Sequence, residues 1–331
     1  MKLLFSALIA LLTTHLHAQT ISIMQYNVEN LFDTVHDEAK NDWTYLPLSY
    51  KTNDPESREA CLNQGSEYYV NECLTMDWTE KFLIKKFNAI GNVIKSYDES
   101  SKGPDIIVFQ EVENLNVINL LIQNSLKDLG YNYTTLIEGL DERGIDVAII
   151  SKHPIKSAKL HSLNGLKTRG ILEAVVSVKK KELTIFANHW PSQSNPVIQR
   201  IESAKLLEKL ANKSSSEVVL AIGDFNMTSE DSPSPQLYMP SFIDTQEVAR
   251  LKNPNLHYGT HFYRGEWSFL DRIFIHQKSK DAPNYSSFQV VKRPFMLKRD
   301  NYTGDYVPNR FNFRTGEGFS DHLPLGIQIK L

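Results

Sequence analysis

The apolar run Val218-Val219-Leu220-Ala221-Ile222 leads directly into Gly223-Asp224-Phe225-Asn226. A short run of this kind, rich in β-branched side chains, predicts a fully buried strand. The strand ends in a carboxylate and an amide instead of a plain turn. Outward along the chain the same ending recurs. Apolar segments finish at or beside Asn27-Val28-Glu29, Gln110-Glu111, Asn188-His189-Trp190, Leu270-Asp271-Arg272 and Ser320-Asp321-His322. Each alone has an ordinary explanation, since Asp and Asn are common turn residues. Strand ends from separate strands can converge on one mouth of a sheet, where α/β proteins place their chemistry.

The segments between these endings alternate strand and helix patterns. Residues 21–27, 106–110, 147–151, 171–178, 183–188, 218–222, 270–275 and 323–329 read as strands. Leu83, Phe87, Ile90 and Ile94 repeat at helical spacing, with Asp77 and Glu80 as a capping box ahead of them. Residues 115–129 read as a helix stopped by Gly130, and 197–210 as an amphipathic helix. Lys179-Lys180-Lys181 fits a charged hairpin turn. Residues 36–76 are polar, aromatic and irregular, which predicts a long surface excursion. No fixed-period repeat and no Gly/Ser- or Pro-rich linker divides the chain. The expectation is one domain over residues 19–331, with sheet layers and helices outside them.

The chain has 331 residues, 41% hydrophobic and 23% charged, with a formal net charge of −3. That composition excludes disorder, collagen and coiled coil, and the length supports a core without metal or disulfide staples. The charge excludes binding to polyanions by bulk charge alone, but not by a local basic face. Residues 1–18 have the order of a secretory signal: Lys2, an apolar run of about ten residues, then a polar region ending at Ala18. The run is shorter than the roughly 20 residues a membrane span needs. A secreted or periplasmic protein without stable membrane association is expected. In an oxidising compartment Cys61 and Cys73 are expected to form a disulfide, with a free-thiol pair as the alternative.

Together the six endings resemble the endonuclease/exonuclease/phosphatase superfamily, which includes deoxyribonuclease I, abasic-site endonucleases, inositol-polyphosphate phosphatases and neutral sphingomyelinases. Gly223-Asp224-Phe225-Asn226 and Ser320-Asp321-His322 carry most of the resemblance, and the match runs from Asn27 to His322. It implies a deoxyribonuclease I-like α/β four-layer sandwich, two mainly antiparallel β-sheets packed face to face and flanked by helices. It also implies a divalent-metal-dependent phosphodiesterase. Hard oxygen ligands suit Mg²⁺, with Mn²⁺ or Ca²⁺ as further possibilities. Glu111 is the first expected ligand, assisted by Asn27, with Glu29 and Asp321 close enough to contribute. His189 and His322 are the acid/base candidates, since imidazole titrates near neutrality. By resemblance they flank the scissile phosphate, and Asp271 orients His322. Asp224 and Asn226 position or deprotonate water and bind a phosphoryl oxygen. The partner of His189 is left between Glu142 and Asp146, with Asp146 preferred. Abasic-site endonucleases carry Tyr where His189 stands, so this chain is more similar to the deoxyribonuclease I side.

Residues 290–316 interleave Lys292, Arg293, Lys298, Arg299, Arg310 and Arg314 with Phe295, Tyr302, Tyr306, Phe311 and Phe313. Charges of that kind take phosphates and the rings take bases. Arg143 and Arg200 are further phosphate candidates. His153, His161, His257, His261 and His276 match no motif and are expected to be surface or structural. The leading expectation is an exported monomeric nuclease that hydrolyses DNA or RNA with low sequence specificity. The alternatives are a phosphoesterase for phospholipid headgroups or inositol and sugar phosphates, and a catalytically silent binding protein on the same fold.

Overall fold

The computed structural model describes residues 19–228 and 230–331, so the expected signal segment lies outside the described residues. In chain order the elements begin with β1 (Thr20–Leu31), α1 (Leu48–Asn53), α2 (Pro55–Leu62), α3 (Glu67–Thr75), α4 (Glu80–Lys95), β2 (Ile106–Val112) and α5 (Leu115–Leu121). Then come β3 (Tyr133–Thr135), β4 (Asp146–Ser151), β5 (Ile155–His161), β6 (Ile171–Val178), β7 (Lys181–His189), α6 (Val197–Ala211) and β8 (Val218–Asp224). The C-terminal part holds β9 (Phe242–Asp244), α7 (Thr245–Lys252), β10 (His261–Tyr263), β11 (Glu266–Ser268), β12 (Asp271–His276), β13 (Pro283–Val290), β14 (Leu297–Arg299), β15 (Tyr306–Pro308) and β16 (Leu325–Lys330).

Among the described residues the strands form two six-stranded sheets and two small hairpins. One sheet runs β13-β16-β1-β2-β4-β3 and the other β5-β6-β7-β8-β12-β9. Each has a single parallel pair near its centre, β1 with β2 and β7 with β8, and is otherwise antiparallel. Parallel neighbours need a long crossover. Helices α1–α4 supply the first and α6 the second.

The strand period of two explains how the sheets meet. In β8, Val218, Leu220 and Ile222 enter the core shared with Ile23, Val108 and Ile149 of the first sheet. Val219 and Ala221 face the other way, onto Ala204, Leu207 and Ala211 of α6. On β7, Leu183, Ile185 and Ala187 join the inter-sheet core and Phe186 joins the outer one. Two sheets therefore share one apolar layer and carry helices outside, the expected sandwich.

Several local expectations need correction. Residues 36–76 are not irregular: α1, α2 and α3 form there, and the Cys61–Cys73 disulfide joins α2 to α3. Short helices of low amphipathicity escape a periodicity argument. Asp77 does not cap α4. Thr79 occupies that position, and the Asp77 carboxylate accepts the Leu48 N–H at 2.7 Å. The helix expected over 115–129 is α only to Leu121, then continues as a π turn and a 3₁₀ turn to Gly130 at φ +83°. The short strands β3, β9, β10, β11, β14 and β15 were not foreseen, nor were the longer β5 and β13. Both lie at sheet edges, where burial is partial and the alternation is weak.

Candidate active site

Strand register assembles the site. In the second sheet His189 pairs with Asp224 across the parallel β7/β8 ladder, and Asp271 pairs with Asp224 across antiparallel β8/β12. Three functional side chains thus stand at one end of three adjacent strands. In the first sheet Asn27 of β1 pairs with Gln110 of β2, and both ladders slip just beyond this point. At the slip Glu29, Asn30 and Glu111 adopt left-handed backbone, at φ 55°, 56° and 62°. Asn226 does so beside Asp224, at φ 48°. Bulges re-aim side chains, and strained non-glycine residues concentrate at functional sites.

His322 is held from both sides. Its Nδ1 meets Asp271 Oδ2 at 2.7 Å, leaving Nε2 directed at the mouth, 3.9 Å from Asp321 Oδ1. The other Asp271 oxygen accepts from Gln25 Nε2 at 2.5 Å, and Gln25 also bonds Gln110. Ser320 Oγ donates to the Asn27 carbonyl and accepts the His322 N–H, which ties the loop to β1. Burial alone would push the His322 pKa down, but Asp271, Asp321 and Asp224 hold it well above the usual histidine range.

His189 is the opposite case. Burial, then the guanidinium groups of Arg169 and Arg143, hold its pKa well below the usual range. Its Nε2 lies 3.8 Å from Asp224 and 3.9 Å from Glu111. The two imidazoles are therefore pushed in opposite directions, His322 toward the charged form and His189 toward the neutral one, as suits an acid–base pair. Asp224 is pushed up to about 7 by burial and by Asp271, so it too exchanges protons near neutrality.

The donors suit a hard divalent cation. Buried carboxylates crowd here, and Asp224 is raised first by burial and then by repulsion from Asp271. Glu111 and Asp321 keep partly open carboxylates, with side chains 20% and 27% exposed. Glu111 is the residue that would hold the ion; Asp321 groups instead with His261 and His322, and Asp224 with Asp271 and His322, each set with ligand atoms within 4.8 Å of one another. Two expected ligands are differently employed. Glu29 is 1% exposed, and its carboxylate accepts from Arg310 Nε and from the Phe311 and Asp321 N–H groups. It clamps the loop before His322 with both carboxylate oxygens. Asn27 turns its amide nitrogen toward Glu111 (3.0 Å) and Asp224 (3.2 Å), while its oxygen accepts the Glu29 N–H. In this arrangement it spaces two carboxylates.

Asp146 also departs from expectation. It accepts the Gly139 N–H at 2.9 Å, its second oxygen is buried without a partner, and His189 Nδ1 likewise has no hydrogen bond. Glu142 pairs with Lys167 instead. Asn226 Nδ2 donates to the Trp190 carbonyl at 3.1 Å, which fixes the turn after Asp224. Arg143 joins Asp141 with its side chain 57% exposed, whereas Arg200 is buried on Asp231 and has a structural role.

Three participants escaped sequence reasoning. Gln25 positions Asp271, and its signal was present: Gln25, Asn27 and Glu29 line one face of an otherwise apolar strand. Arg169 bonds Asp141 at 2.7 Å and the Trp190 carbonyl at 3.3 Å, and it adds charge beneath His189. His261, expected to be surface or structural, bridges His322 through the backbone, with ring centroids 4.8 Å apart. Burial and His322 lower its pKa to about 4. It stands beside Asp321 and His322, though far from both in sequence.

Two mixed sheets packed face to face, with this site at their joined strand ends, define a deoxyribonuclease I-like α/β sandwich. Residues 63–331 match the Endonuclease/Exonuclease/phosphatase family, and the chain belongs to it. A humanized D. rerio TDP2 is similar at 14% identity and TM-score 0.55, covering 94% of this chain and 99% of that one. An endonuclease/exonuclease/phosphatase family protein from Bacteroides thetaiotaomicron follows at 16%, 0.53, 94% and 98%. Beta toxin from Staphylococcus aureus with bound magnesium ions gives 17%, 0.51, 93% and 99%. At these identities the likeness is one of fold. No curated protein matches the sequence.

Proposed function

We propose that the chain is an exported, divalent-metal-dependent phosphodiesterase, and specifically a nuclease that hydrolyses DNA or RNA with little sequence preference. The observation that carries this is the pair of buried imidazoles at the joined strand ends, His322 on Asp271 and His189 facing Asp224 and Glu111. Phosphodiester hydrolysis needs a proton acceptor for water, positive charge for the phosphoryl oxygens and a proton for the departing oxygen. Asp224, raised by burial and by Asp271, accepts the proton of the attacking water. Imidazolium His322, directed by Asp271, offers its Nε2 proton to a phosphate oxygen. Neutral His189 completes proton exchange on the Asp224 side. A divalent cation held by Glu111 would supply charge neutralisation. Among the family's activities, the nuclease reading rests on the basic and aromatic surroundings of the mouth. The TDP2 from D. rerio has been seen with a single-strand DNA product, and the fold is shared.

The test uses the mature chain and supercoiled plasmid with Mg²⁺, Mn²⁺ or Ca²⁺, beside a chelator control and Asp224→Ala. Metal-dependent nicking lost in both controls is expected. Folded protein that leaves DNA and RNA intact with every metal sinks the nuclease reading.

A phospholipid headgroup is the second reading. The observation in its favour is the β14–β15 hairpin, where Tyr302 is 98% exposed and Tyr306 65%, beside Lys298 and Arg299. Headgroup release from sphingomyelin vesicles, with nucleic acids untouched, would select it. Among the described residues no helix is long and apolar enough to cross a membrane.

A further inference from the structure

We infer that the disulfide-clipped insertion forms a strand-binding subsite, in which Tyr68 and Tyr69 stack nucleobases beyond the scissile phosphate. The inference rests on the nuclease reading above and names where its substrate runs.

A groove of about 630 Å³ lies between the insertion and the rim of the active site. Helix α3 contributes Tyr68 and Tyr69, 66% and 56% exposed, with rings 5.2 Å apart and nearly perpendicular. Arg143, Arg310 and Arg314 line the same groove with exposed side chains, Arg143 also paired with Asp141 and Arg310 with Glu29, and Glu72 is the carboxylate in the lining. The groove continues into the catalytic mouth. Asn30 lines it and donates its N–H to Glu111 Oε2 at 3.1 Å, and Arg310 lies 3.9 Å from Asp321.

The insertion is fixed in place. Buried Lys51 donates to the carbonyls of Thr44, Cys73 and Met76 at 2.7, 2.9 and 2.9 Å. The Cys61–Cys73 bridge joins α2 to α3, and Trp78 Nε1 donates to the Phe32 carbonyl at 3.1 Å. A helix held by a disulfide and a buried ammonium presents two rings that no neighbouring apolar surface covers. Planar rings and guanidinium forks together match alternating bases and phosphates. A lone phosphoester headgroup would end at the catalytic mouth and leave this groove empty.

The experiment compares wild type, Tyr68→Ala/Tyr69→Ala and Tyr68→Phe/Tyr69→Phe in Mg²⁺. The substrates are a single-stranded oligonucleotide of about 20 nucleotides and bis(p-nitrophenyl) phosphate, which has no flanking bases. The alanine pair should raise KM for the oligonucleotide about tenfold or more, the scale of lost base stacking. Its rate on the small diester should stay within about twofold, and the phenylalanine pair should restore oligonucleotide KM. Oligonucleotide cleavage by the alanine pair with unchanged KM overturns the subsite. If wild type hydrolyses the small diester but leaves the oligonucleotide intact, the nuclease reading itself has failed and the subsite falls with it.

Discussion

His322 and His189 invite different mutational outcomes although both are buried. Replacing either with Ala should cut turnover by about 10² or more, the usual range for a general acid or base. Stability separates them. His322→Ala leaves the Asp271 carboxylate buried with only Gln25 as partner, and removing half of a buried pair costs about 3 kcal/mol or more. His189→Ala removes a ring whose Nδ1 has no hydrogen bond, so it should cost about 1–2 kcal/mol of packing. Urea midpoints of the two variants check this, and equal losses would refute the asymmetry. Asp146 offers a second test. Burial lifts its carboxyl to about 7, and one oxygen has no partner, as suits a protonated acid. The unfolded chain releases this proton near pH 4. Asp146 therefore favours the folded state fully below about pH 4, and that advantage drains as pH rises through about 7. Asp146→Asn should remove a pH-dependent difference on the order of 2–4 kcal/mol between pH 4 and 8. Denaturation across that range decides it, and a pH-independent offset from wild type would defeat the assignment. At this scale the motifs foretold one partner, Asp271 on His322, but not those that lie far away in sequence. Glu29 stands in the right motif, yet Arg310, 281 positions away, occupies its carboxylate.

At the scale of elements, the strand ends and the helix with apolar residues at 83, 87, 90 and 94 were legible because burial imposes a period on them. The edge strands and the insertion were not, because partial burial and cross-chain hydrogen bonds shape them without any local period. One close approach fixes the geometry of the two central strands in the second sheet. Gly223 pairs with Asn188, and a Cβ on Gly223 would stand 1.9 Å from the Asn188 carbonyl oxygen. No rotamer relieves a backbone clash, so Gly223→Ala must part β7 from β8 and pull His189 away from Asp224. The expected result is a loss of both soluble yield and turnover. Wild-type activity in a Gly223→Ala protein would show that the ladder tolerates the displacement. The Cys61/Cys73 pair separates two roles in the same way. Cys61→Ser with Cys73→Ser frees α3 from α2, so oligonucleotide KM should rise while small-diester turnover stays near wild type. Equal losses on both substrates would mean the insertion supports the catalytic strands themselves.

For the whole molecule, charge distribution decides how a polyanion is found. The sequence is net negative, −3 over the full chain, so long-range attraction to nucleic acid must come from local positive surface. That surface surrounds the mouth on two sides: Arg143, Arg310 and Arg314 along the insertion groove, Lys298 and Arg299 on the β14–β15 hairpin. The hairpin borders a second groove of about 710 Å³ that reaches Asp321, and its two cations are exposed. Each phosphate neutralised contributes a slope of about −0.9 for duplex or −0.7 for single strands to log K against log salt. Lys298→Gln with Arg299→Gln should therefore flatten that slope by up to about two contacts' worth. Small-diester turnover should change little, because neither residue bonds a catalytic side chain. Binding measured by fluorescence anisotropy between 50 and 200 mM salt resolves such a change. A slope equal to wild type would remove the hairpin from the nucleic-acid face. Substrate would then be confined to the insertion side, and the exposed Tyr302 hairpin would be left to the lipid reading, where vesicle binding becomes its measurable consequence.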